Sequence, residues 1–274
     1  MSGILYVVGT PIGNLNDLSP RAVETLENVD FIAAEDTRVT LKLLNHFEIK
    51  KPMISYFEHN KRERGEIICD RIAAGENCAI VTDAGMPCIS DPGEELVRQC
   101  AERGIKTIVV PGPSAVISAL AVSGLATGRF TFEGFLSVNK KSRLDHLEQL
   151  KTEKRTMIFY EAPHKLAHTL GDLYKAFGDR NISIVREITK IHEEVIRTTL
   201  SKAVELYGDG SLKGEIVLVL EGASEDIDKE EYTIEEAAAL AKSFIRDGYS
   251  TSESAKQAAK ITGFKKNEIY KLLT

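Results

Sequence analysis

The sequence predicts an α/β protein of two lobes, followed by a small helical module at its carboxyl-terminal end. Three observations support this fold class. Apolar segments alternate with amphipathic ones as far as Val110, strand-like segments then follow one another closely, and short lysine-rich helical patterns end the sequence. Alternating strands and helices are typical of a parallel sheet with helices on both faces. The predicted domains are residues 1–112, 113–222 and 229–274.

The first lobe is defined by short apolar segments of strand length: ILYVV, DFIAA, CAIVT and TIVV. Amphipathic segments lie between them, such as EELVRQCAERG, in which Leu96, Val97 and Cys100 share one helical face. Gly104 provides the end of that helix. We therefore expect a parallel sheet in this lobe.

The second lobe contains strand patterns separated by little helix: RFTFEGF, TMIFY, NISIVREI, EEVIRTTL and EIVLVLEG. Consecutive strands with short connections favour antiparallel pairs, so we predict a mixed sheet. The two lobes join between Pro111 and Ser114 without a long linker, and we expect them to pack closely.

The carboxyl-terminal module follows an acidic stretch and reads as three short helices. Ser250 and Glu253 fit a capping box. From Lys256 onward the sequence has five lysines and a single acidic residue, Glu268. This pattern resembles a helix-turn-helix module, and it is equally compatible with a packing or dimerisation appendage.

Composition is typical of a soluble globular protein, with 274 residues, 43% hydrophobic residues and a net charge of −6. The amino-terminal segment MSGILYVVGTPIG lacks a basic region and reads as a first strand, so we expect a cytoplasmic protein. No metal is expected, because His164 and His168 lack a nearby third ligand. The scattered cysteines indicate reduced thiols: Cys69, Cys78, Cys88 and Cys100.

Three loops rich in glycine and proline follow apolar strands: GTPIGN, DAGMPCISDPG and PGPSA. Ligands of open parallel sheets bind beyond the carboxyl ends of the strands, so we expect these loops to converge on a ligand. The alternative is that they are tight turns only. The spacing of Gly9 and Gly13, with Pro11 between them, differs from a GxGxxG fingerprint, which argues against a nucleotide-dependent oxidoreductase.

Five stretches, in this order, resemble the tetrapyrrole methylase superfamily: LYVVGTPIGNLNDLSPRAVETLENVDFIAAEDTR, VTDAGMPCISDPG, PGPSA, FYEAPHK and GEIVLVLEG. The resemblance covers residues 3–222 and is strongest to the branch that modifies ribosomal RNA, whose helical tail also matches. It implies two α/β lobes, S-adenosylmethionine bound between them, and a homodimer. The implied reaction is methylation of a cytidine ribose 2′-hydroxyl in 16S ribosomal RNA of the small subunit.

The resemblance also implies which residues hold S-adenosylmethionine. They come from the three loops and from the FYEAP stretch: Pro11, Asp83, Ala84, Gly85, Ile89, Ser114, Ala115 and Tyr160. Relatives that modify tetrapyrroles have a loop closer to GGDP than to Ala84-Gly85-Met86-Pro87. Met86 and Cys88 stand where this branch is expected to have Thr and Leu, and neither change affects a contact made by the backbone.

The charged residues predicted nearest the chemistry are Asp36 and Glu187, with Arg38 and Arg186 holding phosphate or carboxylate. The alternative is that these residues are ion-paired clamps between the lobes. We expect the basic stretches at 61–64 and 139–143 and the basic tail to border the cleft for RNA. Two other functions remain open: a small-molecule methylase acting on a tetrapyrrole, and a non-catalytic RNA-binding factor.

Overall fold

A computed structural model describes residues 2–224 and 232–273, which form two compact units. The first unit contains the described residues up to Glu221 except 152–154. The second contains 152–154, 222–224 and 232–273. Of the predicted helical module, residues 229–231 and 274 lie outside the described residues. The predicted boundary between the two lobes lies within the first unit and stays a prediction.

The first sheet contains five strands: β1 Ile4–Val8, β2 Phe31–Ala34, β3 Met53–Ser55, β4 Cys78–Val81 and β5 Lys106–Val110. It is entirely parallel, as predicted, with strand order β3-β2-β4-β1-β5. All residues of the inner strands β2 and β4 are buried, which explains their uninterrupted apolar sequences. The sequence patterns did not identify β3, a short edge strand.

Helices cover both faces of this sheet, and alternate residues of one strand therefore pack into different apolar clusters. Phe31 packs on one face with Ile80, and Ile32 packs on the other with Val81. The helices are α1 Pro20–Asn28, α2 Thr37–His46, α3 Lys61–Ala73 and α4 Glu94–Glu102, and α5 Ala115–Ser123 follows β5 into the second lobe.

The second sheet contains five strands: β6 Phe130–Phe135, β7 Thr156–Glu161, β8 Asn181–Arg186, β9 Glu194–Thr199 and β10 Ile216–Leu220. It is mixed, as predicted, with strand order β6-β7-β10-β8-β9. The pair β6 and β7 is parallel and the other pairs are antiparallel. Its helices are α6 Lys140–Gln149, α7 Leu166–Phe177 and α8 Leu200–Tyr207.

The second unit contains the three predicted short helices: α9 Ile234–Arg246, α10 Thr251–Thr262 and α11 Lys266–Lys271. Their small core is largely alanine, closed by Ile269. The Ser250 hydroxyl accepts a hydrogen bond from the Glu253 amide, but the Glu253 carboxylate accepts from Gln257. A complete capping box joins Thr233 and Glu236 at the start of α9. Within the described part of the chain, every helix is too short or too polar to cross a bilayer.

Candidate active site

The first two glycine-rich loops are hydrogen-bonded to each other at the carboxyl ends of β1 and β4. The Thr10 amide donates to the Gly85 carbonyl at 2.9 Å, and the Gly85 amide donates back to the Thr10 carbonyl at 3.1 Å. The Thr10 hydroxyl donates to the Thr82 carbonyl at 3.1 Å and is buried. These bonds fix the loop after β4 against the loop after β1.

The third loop reaches the same place through a contact between two glycines. A Cβ atom added to Gly9 would lie 2.7 Å from the Cα atom of Gly112, so only glycine allows this approach. The Gly112 amide also donates to the Met86 sulfur at 3.3 Å. The predicted convergence of the three loops is therefore confirmed, and Met86 contributes a link of its own.

Between these loops and the second sheet lies a cavity of about 400 Å³, here named the central cleft. Its volume is in the range of about 300–1,000 Å³ that is usual for small-molecule sites. It is lined by Ile12, Ala84, Gly85, Met86, Ile89, Ser90, Asp91, Ser114, Ala115, Phe135, Tyr160, Glu161, Ala162, Pro163, Ile188, Glu215, Ile216 and Val217.

The wall formed by the second sheet is apolar and aromatic. The Tyr160 ring meets the Phe132 ring edge-on, with centroids 5.0 Å apart, and lies 5.4 Å from the Phe135 ring. Burial raises the pKa of the Tyr160 hydroxyl, and the nearby Asp91 carboxylate raises it further. The hydroxyl therefore stays protonated at neutral pH and is available as a hydrogen-bond donor.

The charged groups that line the central cleft are all carboxylates. Burial raises the pKa of Asp91 to about 6, with further contributions from Glu35 and Asp83. Burial also raises the pKa values of Glu35 and Asp83, which lie next to one another beyond β2 and β4. Because these acids repel one another, this end of the cleft favours a positively charged ligand group.

Six of the eight residues predicted to hold the cofactor line this cleft: Ala84, Gly85, Ile89, Ser114, Ala115 and Tyr160. Pro11 and Asp83 are not among the lining residues and precede lining residues in the chain. The Asp83 carboxylate accepts a hydrogen bond from the Asp36 amide at 3.2 Å, and its own amide donates to Glu35. Asp83 therefore fixes the edge of the cleft from outside.

Asp36 and Arg38, two of the four residues predicted nearest the chemistry, form an ion pair with each other. Two guanidinium nitrogens of Arg38 donate to Asp36, at 3.0 and 2.6 Å. Asp36 also caps α2 by accepting from the Arg38 amide at 2.8 Å. These bonds lower the pKa of Asp36 to about 2. Neither residue is among those that line the central cleft.

Arg186 and Glu187 lie at the end of β8, and each forms an ion pair with another residue. The Arg186 Nε atom donates to Glu194 at 2.6 Å. The Glu187 carboxylate accepts from the Glu215 amide at 2.9 Å and from Lys190 at 3.1 Å, and these bonds lower its pKa. Glu187 thus touches Glu215, a lining residue, without lining the cleft itself. Glu187 also has a positive φ of 50°, an unusual backbone conformation for a residue with a side chain.

Sequence analysis missed several residues of the cleft, notably Asp91, Phe135 and Glu215. Asp91 belongs to the loop DAGMPCISDPG, and the strained backbone of that loop, with positive φ at Cys88 and Ser90, marks it as a functional segment. Phe135 and Glu215 come from strand ends whose position depends on the sheet, so no local pattern points to them. The described residues contain no group of three or more His, Cys, Asp or Glu side chains that could hold a metal ion.

The chain matches the family model of tetrapyrrole (corrin/porphyrin) methylases over residues 4–204. It is 47% identical over 271 residues to a protein of Synechocystis sp. named ribosomal RNA small subunit methyltransferase I, covering 98% of this chain and 97% of that protein. A Bacillus subtilis protein of the same name is 44% identical over 271 residues, covering 98% and 93%. A Thermotoga maritima protein of that name is 48% identical over 220 residues, covering 80% of this chain and 99% of that protein.

Solved structures of methyltransferases have the same fold at low sequence identity. The methyltransferase CobJ superposes with a TM-score of 0.60 at 18% identity, covering 81% of this chain and 95% of that chain. A uroporphyrin-III C-methyltransferase from Thermus thermophilus, solved in complex with S-adenosyl homocysteine, gives a TM-score of 0.57 at 18% identity, covering 80% and 97%.

Proposed function

The chain belongs to the tetrapyrrole methylase family, and on that premise we propose that it transfers a methyl group from S-adenosylmethionine to ribosomal RNA of the small subunit. The observation that carries the proposal is the central cleft, which three converging loops build beside an aromatic wall. The proposed substrate is supported by relatives of more than 40% identity that are named ribosomal RNA small subunit methyltransferase I.

The residues of the central cleft fit S-adenosylmethionine. Its adenine needs apolar walls, which Tyr160, Ile89 and Val217 offer. Its ammonium and sulfonium groups are cations, and the lining residues include three carboxylates and no lysine, arginine or histidine. Ser90 and Ser114 add hydroxyl groups for the ribose.

We propose specific tasks for the predicted residues. Ala84, Gly85 and Ile89 contact the cofactor from the second loop, and Ser114 and Ala115 contact it from the third. Tyr160 lies along the adenine. Pro11 and Asp83 hold the first and second loops in place from outside the lining.

The chemistry that the cofactor supplies when bound is an electrophilic methyl group. The protein must hold a nucleophilic hydroxyl in line with that methyl group, exclude water and accept a proton. We propose Asp36 and Glu187 as the carboxylates nearest this step, with Arg38 and Arg186 orienting phosphate or carboxylate. Their ion pairs join residues of the same lobe, Asp36 with Arg38 and Arg186 with Glu194, and so do not clamp the lobes together. A structural role within each lobe is the remaining alternative, and variants with separate readouts for binding and turnover decide between the two roles.

The finer proposal is that the acceptor is the 2′-hydroxyl of a cytidine ribose in 16S ribosomal RNA. A protein acting on ribosomal subunits works in the cytoplasm, and we propose a homodimer as the active form. The family resemblance supports the cytidine acceptor and the homodimer.

The test is transfer of radiolabelled methyl from S-adenosylmethionine to unmethylated small ribosomal subunits or to their naked RNA. We expect label at one nucleotide that resists alkaline cleavage at its ribose. The difference between the two substrates shows whether assembled shape is required. Absence of label in both substrates, with cofactor binding intact by calorimetry, would instead support a methylase of small molecules.

A further inference from the structure

A second cavity, of about 380 Å³, lies in the second lobe beside the central cleft, and we name it the lateral cavity. It is formed by the segment that follows β6 and by the start of α7. Its lining residues are Leu136, Ser137, Val138, Lys140, Arg143, Glu161, His164, Lys165, His168 and Thr169.

The two cavities share a narrow ridge made by two short segments. Phe135 lines the central cleft, and the next three residues line the lateral cavity. Likewise Ala162 and Pro163 line the central cleft, and His164 and Lys165 line the lateral cavity. Glu161 lines both. A chain-like ligand can therefore cross from one cavity to the other over one or two residues.

The charge of the lateral cavity is opposite to that of the central cleft. Two lysines, an arginine and two histidines line it, against the single acid Glu161. The Glu161 carboxylate is buried and already accepts hydrogen bonds from the Thr169 hydroxyl and the Ala162 amide. It is therefore not available to pair with the cations around it.

The Arg143 side chain is occupied by hydrogen bonds within the protein and is not available to bind a ligand. It is buried, and its Nε atom donates to Asp172 at 2.8 Å. Its NH1 atom donates to the carbonyls of Ser137 and Val138, which holds the segment after β6 in place. Asp172 also lies 3.9 Å from His168. The arginine thus supports the wall of the cavity and its charge is neutralised by Asp172.

Lys140 and Lys165 are the lysines that line the lateral cavity, and their charges are not paired within the described part of the protein. Across residues 2–224 and 232–273, neither lysine has an ion-pair or hydrogen-bond partner for its side chain, and neither does His164. Lys165 stands at the cap position of α7 without a side-chain capping bond, and Lys140 opens α6. Two lysines from separate helices, facing one cavity with no counter-ion, are suited to a doubly coordinated anion.

We propose that the lateral cavity binds a backbone phosphate of the substrate RNA next to the nucleotide that enters the central cleft. This proposal rests on the proposed function. Each internal ribose of an RNA strand has a phosphate on either side, so a strand crossing the ridge places one nucleotide in the cleft and a neighbouring phosphate at Lys140 and Lys165. Phe135, which is 58% exposed on the ridge, offers a surface on which a base stacks.

The experiment compares two double variants with equal loss of positive charge. The cavity pair is Lys140→Gln with Lys165→Gln. The control pair is Lys175→Gln with Lys202→Gln, both exposed residues, of α7 and α8, outside the cavity and outside the basic stretches expected to border the cleft. Affinity for unmethylated small-subunit RNA is measured over a series of salt concentrations, together with cofactor affinity and the kinetic constants for methyl transfer.

We expect the cavity pair to weaken RNA binding by about tenfold and to reduce the slope of log affinity against log salt by about 0.7, since one neutralised phosphate on a single strand contributes about 0.7. The KM for RNA rises while kcat and cofactor affinity stay within about twofold. The control pair stays within about twofold of wild type in every readout. Equal effects of the two pairs, or unchanged RNA affinity in the cavity pair, overturn the proposal.

Failure of the proposed function gives a different result. A wild-type protein that transfers no methyl to RNA, while the cavity pair still lowers RNA affinity relative to the control pair, contradicts the reaction and supports the cavity. Normal methyl transfer with no contrast between the two pairs supports the reaction and contradicts the cavity.

Discussion

The central cleft and the lateral cavity are of similar size, about 400 and 380 Å³, but they differ in how they are built. The central cleft is formed by backbone: three loops, joined by the Thr10–Gly85 bonds and the Gly9–Gly112 contact, set its shape. The lateral cavity is formed by side chains that project from two helices and the turn before one of them.

Their charges differ as well, and the difference separates two kinds of ligand. The Asp91 carboxylate has no ion pair among the described residues and, with Glu35 and Asp83 nearby, favours a cation in the central cleft. The unpaired lysines that line the lateral cavity favour an anion. The methyl donor that we propose is cationic and its RNA acceptor is anionic. Opposite charge in adjacent cavities thus directs the cation of the cofactor to the central cleft and the phosphate of the RNA to the lateral cavity, and the predictions below test that division.

Filling the central cleft gives the largest expected effect. Ala84 is exposed and lines the cleft, so Ala84→Trp inserts a large ring with little cost to folding. We expect cofactor affinity to fall by at least about 100-fold, because the ring occupies the ligand's volume. RNA affinity should stay within about threefold of wild type, because the lateral cavity is untouched. Calorimetry and a filter-binding assay measure the two affinities.

The control for this variant is Ala73→Trp, which adds the same ring at an exposed position at the end of α3. It should leave both affinities unchanged. A parallel loss of RNA affinity in Ala84→Trp would show that the two cavities bind as one site.

The second prediction separates chemistry from structure at Asp36 and Glu187. Asp36→Asn keeps a side-chain oxygen to cap α2, and Glu187→Gln keeps one to accept from the Glu215 amide. If these residues act nearest the reaction, as we propose, each variant should lose about 100-fold in kcat while cofactor affinity stays within about threefold. Methyl transfer at saturating cofactor measures this.

A purely structural role for these ion pairs predicts another pattern for the same variants. Loss of an ion pair lowers the melting temperature and leaves kcat within a few-fold of wild type. Activity in that range for both variants would remove Asp36 and Glu187 from the proposed chemistry.

Most of the fold could be predicted from the sequence because the relevant signals are local. Uninterrupted apolar strands such as β2 and β4 indicate a sheet buried on both faces, and glycine and proline directly after them indicate shaped loops at one edge. The edge strand β3 was missed because three half-buried residues give no periodic pattern.

The site could be predicted only where it depends on the loops themselves. Gly85 and Ser114 belong to motifs that can be read along the chain, and both line the cleft. The raised pKa of Asp91 depends on Glu35 and Asp83, which approach it only because β2 and β4 are neighbours in the sheet. The lateral cavity likewise requires residues of α6 and α7 that no sequence spacing brings together.

The third prediction concerns pH and the cleft's charge. The pKa of Asp91 is raised from 3.8 to about 6, so its contribution to stability is fully present below pH 3.8 and is lost as the pH rises through about 6. A cationic cofactor favours the ionised form, so binding strengthens as the pH rises through 6. We expect calorimetry to show affinity about tenfold weaker at pH 5 than at pH 7.

The variant Asp91→Asn should make cofactor affinity nearly independent of pH over this range and weaken it at pH 7. Without the buried charge, the cofactor-free protein should melt about 2–4 °C higher at pH 7. Glu94→Gln, an exposed change nearby that does not line the cleft, should retain the wild-type pH profile. Retention of that profile in Asp91→Asn would place the titrating group elsewhere.

The smallest expected effect comes from the carboxyl-terminal helices. The Thermotoga maritima relative covers only 80% of this chain yet is matched over 99% of its own length. That relative, which has the same name as the Synechocystis and Bacillus proteins, therefore lacks a counterpart of about a fifth of this chain. The second compact unit is comparable in length with that unmatched part. We therefore expect deletion of residues 229–274 to reduce RNA affinity by only about threefold, with a shallower salt dependence from the lost lysines.

Cofactor affinity and kcat should be unchanged in this deletion, because the residues that line both cavities belong to the first unit. Combining the deletion with the Lys140→Gln and Lys165→Gln pair sharpens the comparison, since independent contacts give multiplicative losses in RNA affinity. A combined loss no greater than that of the lysine pair alone would mean that the tail acts through the lateral cavity. Unchanged RNA affinity in the simple deletion would contradict a role in RNA binding and leave packing or dimerisation as the task of the basic helices.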